Sequence, residues 1–303
     1  MNTSVENVVI VGLGLIGGSL ARSLRKSGFA KRLIGYGHRT PSLERGVALG
    51  VIDEYTLDLD EAIDRADILV IATPTLVASS MLEVILPKLA GRTQVPIITD
   101  VASVKGSLAE TARAICGQIP PQLVLAHPIA GSERSGVDAS TDTLFVDHRV
   151  ILTPVPENDP AAVACVRQMW LSTGAEVVDM DVERHDQVLA ATSHLPHMLA
   201  YALVDALAQS DSGEDIFRFA AGGFRDFTRI ASSDPVMWKD IALANRDALL
   251  TSIDLFSEQL AVMREDVAQG RGENLLDTFT RAKIARDEFA ATRSAPSEPS
   301  PEE

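Results

Sequence analysis

The stretch Val8–Leu24, "VVIVGLGLIGGSLARSL", decides the architecture. Val8 to Val11 are four consecutive β-branched residues, which read as a strand buried on both faces, and from Ile16 onward the apolar residues recur at helical spacing. Gly12, Gly14 and Gly17 stand between the two in GxGxxG order. There Gly12 permits the tight turn, Gly14 lets backbone approach a pyrophosphate, and Gly17 lets helix and strand pack closely. The helix N-terminus at Leu15 and Ile16 turns free N–H groups toward phosphate oxygens. Such a motif is weak alone, but with a strand before it and a helix and second strand after it, a dinucleotide site is the economical reading.

Outward from that loop, short apolar runs alternate with helical patterns: "NVVIVG", "RLIGYG", "DILVIATP", "VPIITD", "QLVLAH" and "HRVILTP" are strands, each followed by a helix or loop. This alternation builds a Rossmann-type doubly wound parallel sheet covered by helices on both faces, an α/β fold, expected over residues 1–180 with "AEVVDM" as its last strand. Residues 181–292 are helical throughout. One pattern, "DPVMWKDIALANRDALLTSIDLFSEQLAVMREDVA", exceeds thirty residues with an apolar side too extensive for a small monomeric domain. A C-terminal all-helical dimerisation domain is expected, making the protein a homodimer. The tail, residues 293–303, is rich in proline, serine and acid and is expected to be disordered.

The second strand tests the cofactor. NAD is usually held by an acid at this strand end, but "LIGYGHRTPS" has Gly37 there, followed by His38, Arg39 and Thr40, with Ser42 nearby. A missing carboxylate beside a cation and hydroxyls suits a 2′-phosphate, so NADP is favoured, with NAD the alternative if Arg39 is only a solvated loop charge. Thr73 and Pro74, closing "DILVIATP", complete the expected cofactor edge.

Bulk properties narrow the partners. Against 27 Lys and Arg stand 42 Asp and Glu, a formal charge of −15, and the basic residues are scattered. That excludes a nucleic-acid or anionic-membrane surface, which needs a concentrated basic patch. No segment approaches the ~18 uncharged apolar residues of a membrane span. Cys116 and Cys165 form no CxxC pair, and the N-terminus lacks a basic region followed by a long apolar core, so a cytoplasmic protein is expected.

Taken with "GLGLIGGSLA", the motifs "DVASVKG" (100–106), "HPIAGSERSG" (127–136), "TSHLPH" (192–197) and "GGFRDFTRIASSDPVMW" (222–238) resemble the prephenate and arogenate dehydrogenase (TyrA) family, especially its single-activity bacterial cyclohexadienyl dehydrogenases. The likeness covers roughly residues 6 to 290 in order. Neither a chorismate mutase segment before the Rossmann half nor an ACT regulatory domain after the helical half is expected. The resemblance implies oxidative decarboxylation of prephenate to 4-hydroxyphenylpyruvate, or of arogenate to tyrosine, in tyrosine biosynthesis. Tyrosine is then expected to inhibit, if at all, by competing with substrate.

This chemistry needs one base near neutrality for the proton of the 4-hydroxyl as hydride leaves the same carbon, and histidine suits that role. His127 follows an apolar strand, at the carboxyl end where open α/β sheets bind ligands. By the same resemblance Ser103 hydrogen-bonds near the base, although it also fits a helix N-cap. Lys105 reads as a surface lysine or as part of the nicotinamide wall. Glu133 resembles a gate residue, with an exposed loop acid as the alternative. His197 is expected to hydrogen-bond substrate and His194 to support the fold. Arg229 resembles the arginine that forks a substrate carboxylate, beside Asp226. Trp238 is expected to be donated toward the partner's site, or else to pack in the core. His185, His194 and His197 could suggest a metal, but Pro196 interrupts them and no carboxylate cluster accompanies them, so no metal is expected. A two-domain dehydrogenase of the 3-hydroxyisobutyrate or pyrroline-carboxylate reductase type, or a non-enzymatic dinucleotide sensor, would share the glycine loop. Neither would explain "HPIAGSE" together with "GGFRDFTRIASSDP".

Overall fold

β1 (Val5–Val11) carries the apolar run into the middle of a sheet, with α1 (Leu15–Ser27) springing from the glycine turn. The structure is a computed structural model and describes residues 4–131, 134–210 and 213–294. After α1 come β2 (Ala30–Tyr36), α2 (Thr40–Ala48), β3 (Glu54–Thr56), α3 (Leu59–Arg65), β4 (Ile68–Ile71), α4 (Thr75–Lys88), β5 (Ile97–Asp100), α5 (Gly106–Cys116) and β6 (Leu123–Val124). The six strands form one sheet in the order β3-β2-β1-β4-β5-β6, and every pairing is parallel. The order reverses between β1 and β4, which opens a crevice at their carboxyl ends.

Both faces are buried, as an alternating reading of β1 shows. Val8 and Ile10 join one core with Leu20 and Leu24 of α1 and Leu43 of α2, while Val9 and Val11 join another with Ile63 of α3, Leu82 of α4 and Leu108 of α5. The strands are apolar on both sides because helices cover both sides.

The expected strand "QLVLAH" is two strands. β6 pairs with β5, then the chain turns at Leu125 and β7 (Ala126–Pro128) enters a second sheet. There β7 runs antiparallel to β8 (Arg149–Leu152), which runs parallel to β9 (Glu176–Asp179), with α6 (Pro160–Leu171) between them in sequence. Phe145 and Trp170 pack edge to face at 5.2 Å in the core that this sheet shares with α1.

The remaining helices are α7 (Val182–Leu189), a π-helical turn (Ala190–His194), α8 (Leu195–Ala208), α9 (Gly213–Arg218), α10 (Gly222–Thr228), a 3-10 turn (Arg229–Ser232), α11 (Pro235–Ala244), α12 (Arg246–Ala268) and α13 (Gly272–Ser294). Asp181 caps α7 by accepting from the N–H groups of Glu183 and Arg184, worth about 1 kcal/mol. The single long helix read from residue 234 onward is broken at Asn245, whose backbone leaves helical geometry (φ −107°, ψ 36°). Its amide turns inward to the carbonyl of Asp186 at 2.8 Å and to Nδ1 of His194 at 3.0 Å, and this polar anchoring divides α11 from α12. The chain forms two compact units, Met1–Leu249 and Leu250–Glu303. The first includes α7 to α11, for α11 packs on α4 and Asp186 bonds the start of α5. The second holds most of α12 and all of α13, where Asp266 accepts from Arg271 and Asn274 across the connecting turn. In this chain alone Leu255, Val267, Leu276, Phe279 and Phe289 of these two helices are exposed. Of the tail expected over residues 293–303, residues 293 and 294 instead complete α13, and residues 295–303 lie outside the described residues.

Candidate active site

Gly12 adopts φ +94°, and a Cβ there would meet the Ala72 carbonyl oxygen at 2.8 Å and Thr73 at 2.9 Å. A Cβ on Gly17 would collide with the Gly12 carbonyl oxygen. Gly14 differs, since a Cβ there would meet nothing within 4 Å: its face is open, at the N-terminus of α1. Thr73, at the end of β4, has a buried hydroxyl with no partner among the described residues. An open glycine face, N–H groups at Leu15 and Ile16 that opening helical residues leave unpaired, and an orphaned hydroxyl fit a dinucleotide pyrophosphate. His38 and Arg39 are exposed beyond the end of β2, where the Tyr36 carbonyl accepts from the Gly12 N–H, and Thr40 opens α2. Pro74 caps α4.

His127 lies in the middle of β7, only 8% exposed. Its Nδ1 is 2.9 Å from Nε2 of His185, and Nδ1 of His185 is 2.8 Å from Oδ1 of Asp186. Asp186 in turn accepts from the backbone N–H groups of Lys105 (2.9 Å) and Gly106 (2.7 Å). Gly106 must lack a side chain, because a Cβ would fall 2.7 Å from Oδ2 of Asp186. Burial alone would raise the Asp186 carboxyl, but the bonds from His185, Lys105 and Gly106 outweigh it and hold the group below the usual carboxylate range. An ionised Asp186 accepts only, so His185 donates from Nδ1 and presents a lone pair on Nε2. His127 must then donate from its own Nδ1, which leaves its Nε2 as the basic nitrogen. Burial pushes His127 well below the ordinary imidazole value, helped by His185, Lys105 and His194, so the ring is neutral at pH 7.

His185 was visible in the sequence only as a histidine upstream of the "TSHLPH" motif, and Asp186 not at all. Lys105 is not on the surface: it is fully buried, and Nζ is paired with Asp100 and donates to the Ala126 carbonyl at 2.6 Å. Ser103 is half-buried in the turn between β5 and α5, but it is not the cap of that helix. The cap position is Lys105, and Asp186 takes the first N–H groups instead.

A second group adjoins the first through Asn245. His194 is 1% exposed and accepts from the Asn245 amide, and burial lowers its pKa to about 4. Its ring meets Trp238 edge-on, and Trp238 stacks on His197 with centroids 3.5 Å apart and planes at 19°. Trp238 is thus packed within its own chain, 6% exposed with Val104 and Ile241, which is the core-packing alternative of its two expected places. Its indole N–H is buried without a partner among the described residues. His197 is half-buried with Nδ1 2.9 Å from the Ser193 carbonyl. Burial lowers its pKa, with the nearby charge of Arg229 acting the same way. Arg229 opens the 3-10 turn packed on α8 and is exposed, as is Asp226 one turn earlier. Glu133 lies outside the described residues. Among the described residues no cluster of three or more His, Cys, Asp or Glu is arranged to hold a metal, and no helix is long and apolar enough to cross a membrane.

Comparison with known proteins identifies the family. Residues 20–179 match the family model "Prephenate dehydrogenase, nucleotide-binding domain", and residues 181–281 match "Prephenate dehydrogenase, dimerization domain". The chain is 38% identical to the prephenate dehydrogenase of Bacillus subtilis over 95% of its own length and 77% of that protein's. It is 36% identical to the cyclohexadienyl dehydrogenase of Zymomonas mobilis, over 94% of this chain and 96% of that one. The crystal structure of prephenate dehydrogenase from A. aeolicus in complex with hydroxyphenyl propionate and NAD+ superposes with a TM-score of 0.85 at 38% identity, covering 94% of this chain and 99% of that one. By its sequence over both halves, the chain belongs to the prephenate dehydrogenase family.

Proposed function

We propose that the protein oxidises and decarboxylates prephenate to 4-hydroxyphenylpyruvate with a nicotinamide dinucleotide, His127 serving as the base. The observation that carries this reading is the chain Asp186–His185–His127, which leaves Nε2 of a neutral, buried imidazole in β7 as the free lone pair. When bound, the nicotinamide accepts the hydride from the ring carbon that bears the 4-hydroxyl. His127 takes the hydroxyl proton as that hydride departs. The electron pair of the bond to the departing carboxylate then enters the ring and makes it aromatic. The oxygen ends as a phenol, so the proton that His127 accepted returns to the same atom and the reaction consumes no net base.

Gly12, Gly14, Leu15, Ile16, Gly17, Thr73 and Pro74 would hold the dinucleotide, with His38, Arg39 and Thr40 at its ribose. The exposed Arg39 and the absence of an acid at the end of β2 favour NADP, while the complex of the A. aeolicus relative contains NAD+. Ser103 bonds the 4-hydroxyl beside His127. Arg229 grips a substrate carboxylate in a fork, with His197 and the orphaned indole N–H of Trp238 as further donors, Asp226 beside Arg229, and Glu133 at the entrance. The exposed apolar residues of α12 and α13 are covered by a second copy, as the dimerization-domain match supports. Tyrosine, which carries the same phenolic oxygen and a carboxylate, competes with substrate at this site. Arogenate differs from prephenate only in its side chain and is accepted to the extent that the pocket near Arg229 takes an alanyl group.

The test is His127→Asn, assayed with prephenate and arogenate and with both cofactors. The variant retains a hydrogen-bonding side chain but loses the basic nitrogen, so kcat should drop about 10²- to 10⁴-fold while KM changes little. Wild-type activity should lose its plateau only below the ordinary imidazole value of ~6.5, and the variant should lack that acid limb. A near-native kcat in the variant would remove His127 as the base.

A further inference from the structure

The turn at Leu125 creates a bonding problem beside His127. Up to Val124 the strand pairs with β5, with Thr99 opposite Val124. From Ala126 it pairs with β8 instead, Ala126 opposite Leu152 and His127 opposite Ile151, and β5 has ended at Asp100. The strand change leaves the Ala126 N–H and C=O on the side of β5 without a strand to meet them, in a place where Ala126 is fully buried. An unpaired buried amide and carbonyl would each cost about 1–3 kcal/mol. Two side chains take the place of the missing rungs. Oδ1 of Asp100 accepts from the Ala126 N–H at 3.1 Å, and Nζ of Lys105 donates to the Ala126 carbonyl at 2.6 Å. Asp100 and Lys105 are paired with each other, both are 0% exposed, and Oδ2 of Asp100 also accepts from the Ala102 N–H at 2.8 Å.

A buried ion pair is a poor device for stability alone, because apolar residues of similar volume often do as well or better. Its placement here gives it another use. The carbonyl gripped by Lys105 belongs to the Ala126–His127 peptide, so the pair fixes the peptide unit from which the imidazole hangs. We infer that the Asp100–Lys105 pair is a splint at the junction of the two sheets, with Lys105 a positioning residue that sets the place of His127. The inference rests on His127 being the base. Lys105 also enters the site a second way: its backbone N–H anchors Asp186, so one residue holds both ends of the Asp186–His185–His127 chain.

The charge of Lys105 gives the inference a readout that packing would not. The groups acting on His127 are His185 from α7, His194 from the π-helical turn and Lys105 itself, while Asp186 and Asp100 act on His185. Of these Lys105 is the one ammonium, and it opposes a proton on either imidazole.

Lys105→Met and the double variant Asp100→Asn/Lys105→Met test this, with kcat and the pH profile of kcat/KM as readouts. Lys105→Met should lower kcat on the pH plateau by about 10- to 100-fold, the range for a misplaced catalytic group. It should also move the acid limb to higher pH by about half a unit or more. The double variant removes the stranded Asp100 charge and keeps the protein folded, yet it still lacks the grip on the Ala126 carbonyl and should stay slow. Folded variants with wild-type kcat and an unmoved acid limb would overturn the inference, as would a double variant restored to wild-type kcat. Failure of the base assignment is read separately, in His127→Asn.

Discussion

Substituting Asn for His194 should make the protein less sensitive to acid. In the folded chain this imidazole is 1% exposed, accepts a hydrogen bond at Nδ1 and has a pKa lowered to about 4 by burial, whereas an unfolded chain protonates it near 6.5. The folded state therefore binds the proton less well than the unfolded state. Stability from this source is complete above pH ~6.5, is lost as pH falls, and reaches its full deficit near pH 4. The gap corresponds to about 3 kcal/mol, most of it spent by pH ~4.5. In His194→Asn, Oδ1 can stand where Nδ1 stood and still accept from Asn245, but nothing there titrates. Loss of the ring contact with Trp238 should lower stability at every pH, so the readout is the slope. Urea unfolding followed by the fluorescence of Trp170 and Trp238, at one fixed protein concentration from pH 7.5 to 4.5, gives that slope. Wild type should lose about 2–3 kcal/mol more than the variant over this range, His127, His185 and the carboxylates contributing alike to both. Parallel curves would show that His194 is not held neutral and refute the reasoning.

Asp186→Asn should reduce kcat by about 10²- to 10⁴-fold with far less effect on KM, since an amide no longer compels the tautomer that frees Nε2 of His127; an unchanged kcat would mean the tautomer is fixed otherwise. Arg39→Ala should raise KM for NADP more than for NAD, and equal changes with the two cofactors would deny Arg39 a place at the 2′-phosphate.

What the sequence disclosed was local in character. The glycine loop and the strand alternation each follow from residues close together in the chain, and the sheet order and two-faced burial agree with them. His127, expected at the carboxyl end of a strand of the parallel sheet, instead sits mid-strand in β7, because the chain leaves that sheet at Leu125. What it concealed depends on contacts between distant segments. Asp186 and Gly106 meet across 80 positions, and neither residue type signals the other. Lys105 resembles any lysine before a helix until the strand turn at Leu125 is known; the available hint was Asp100, an acid closing a buried strand five residues earlier. The break at Asn245 was hidden because the apolar pattern continues through it, and only the inward partners of its amide stop the helix. For Trp238 the resemblance pointed to a partner's site and core packing was the alternative; the stack on His197, a residue 41 positions away, decides its place and could not be read locally.

The bond from Asp186 to the start of α5 bears on how this chain can be recombined. A natural seam lies near residue 180, between the two family domains, and an engineer exchanging halves among relatives would cut there. Such a cut leaves His127, Lys105 and Gly106 on one parent and His185, Asp186 and Asn245 on the other. A chimaera joined at that seam inherits its cofactor loop intact but assembles its base from two lineages. Crossovers that carry residues 100–106, 127, 185–186 and 245 from one parent keep the proton-handling machinery whole.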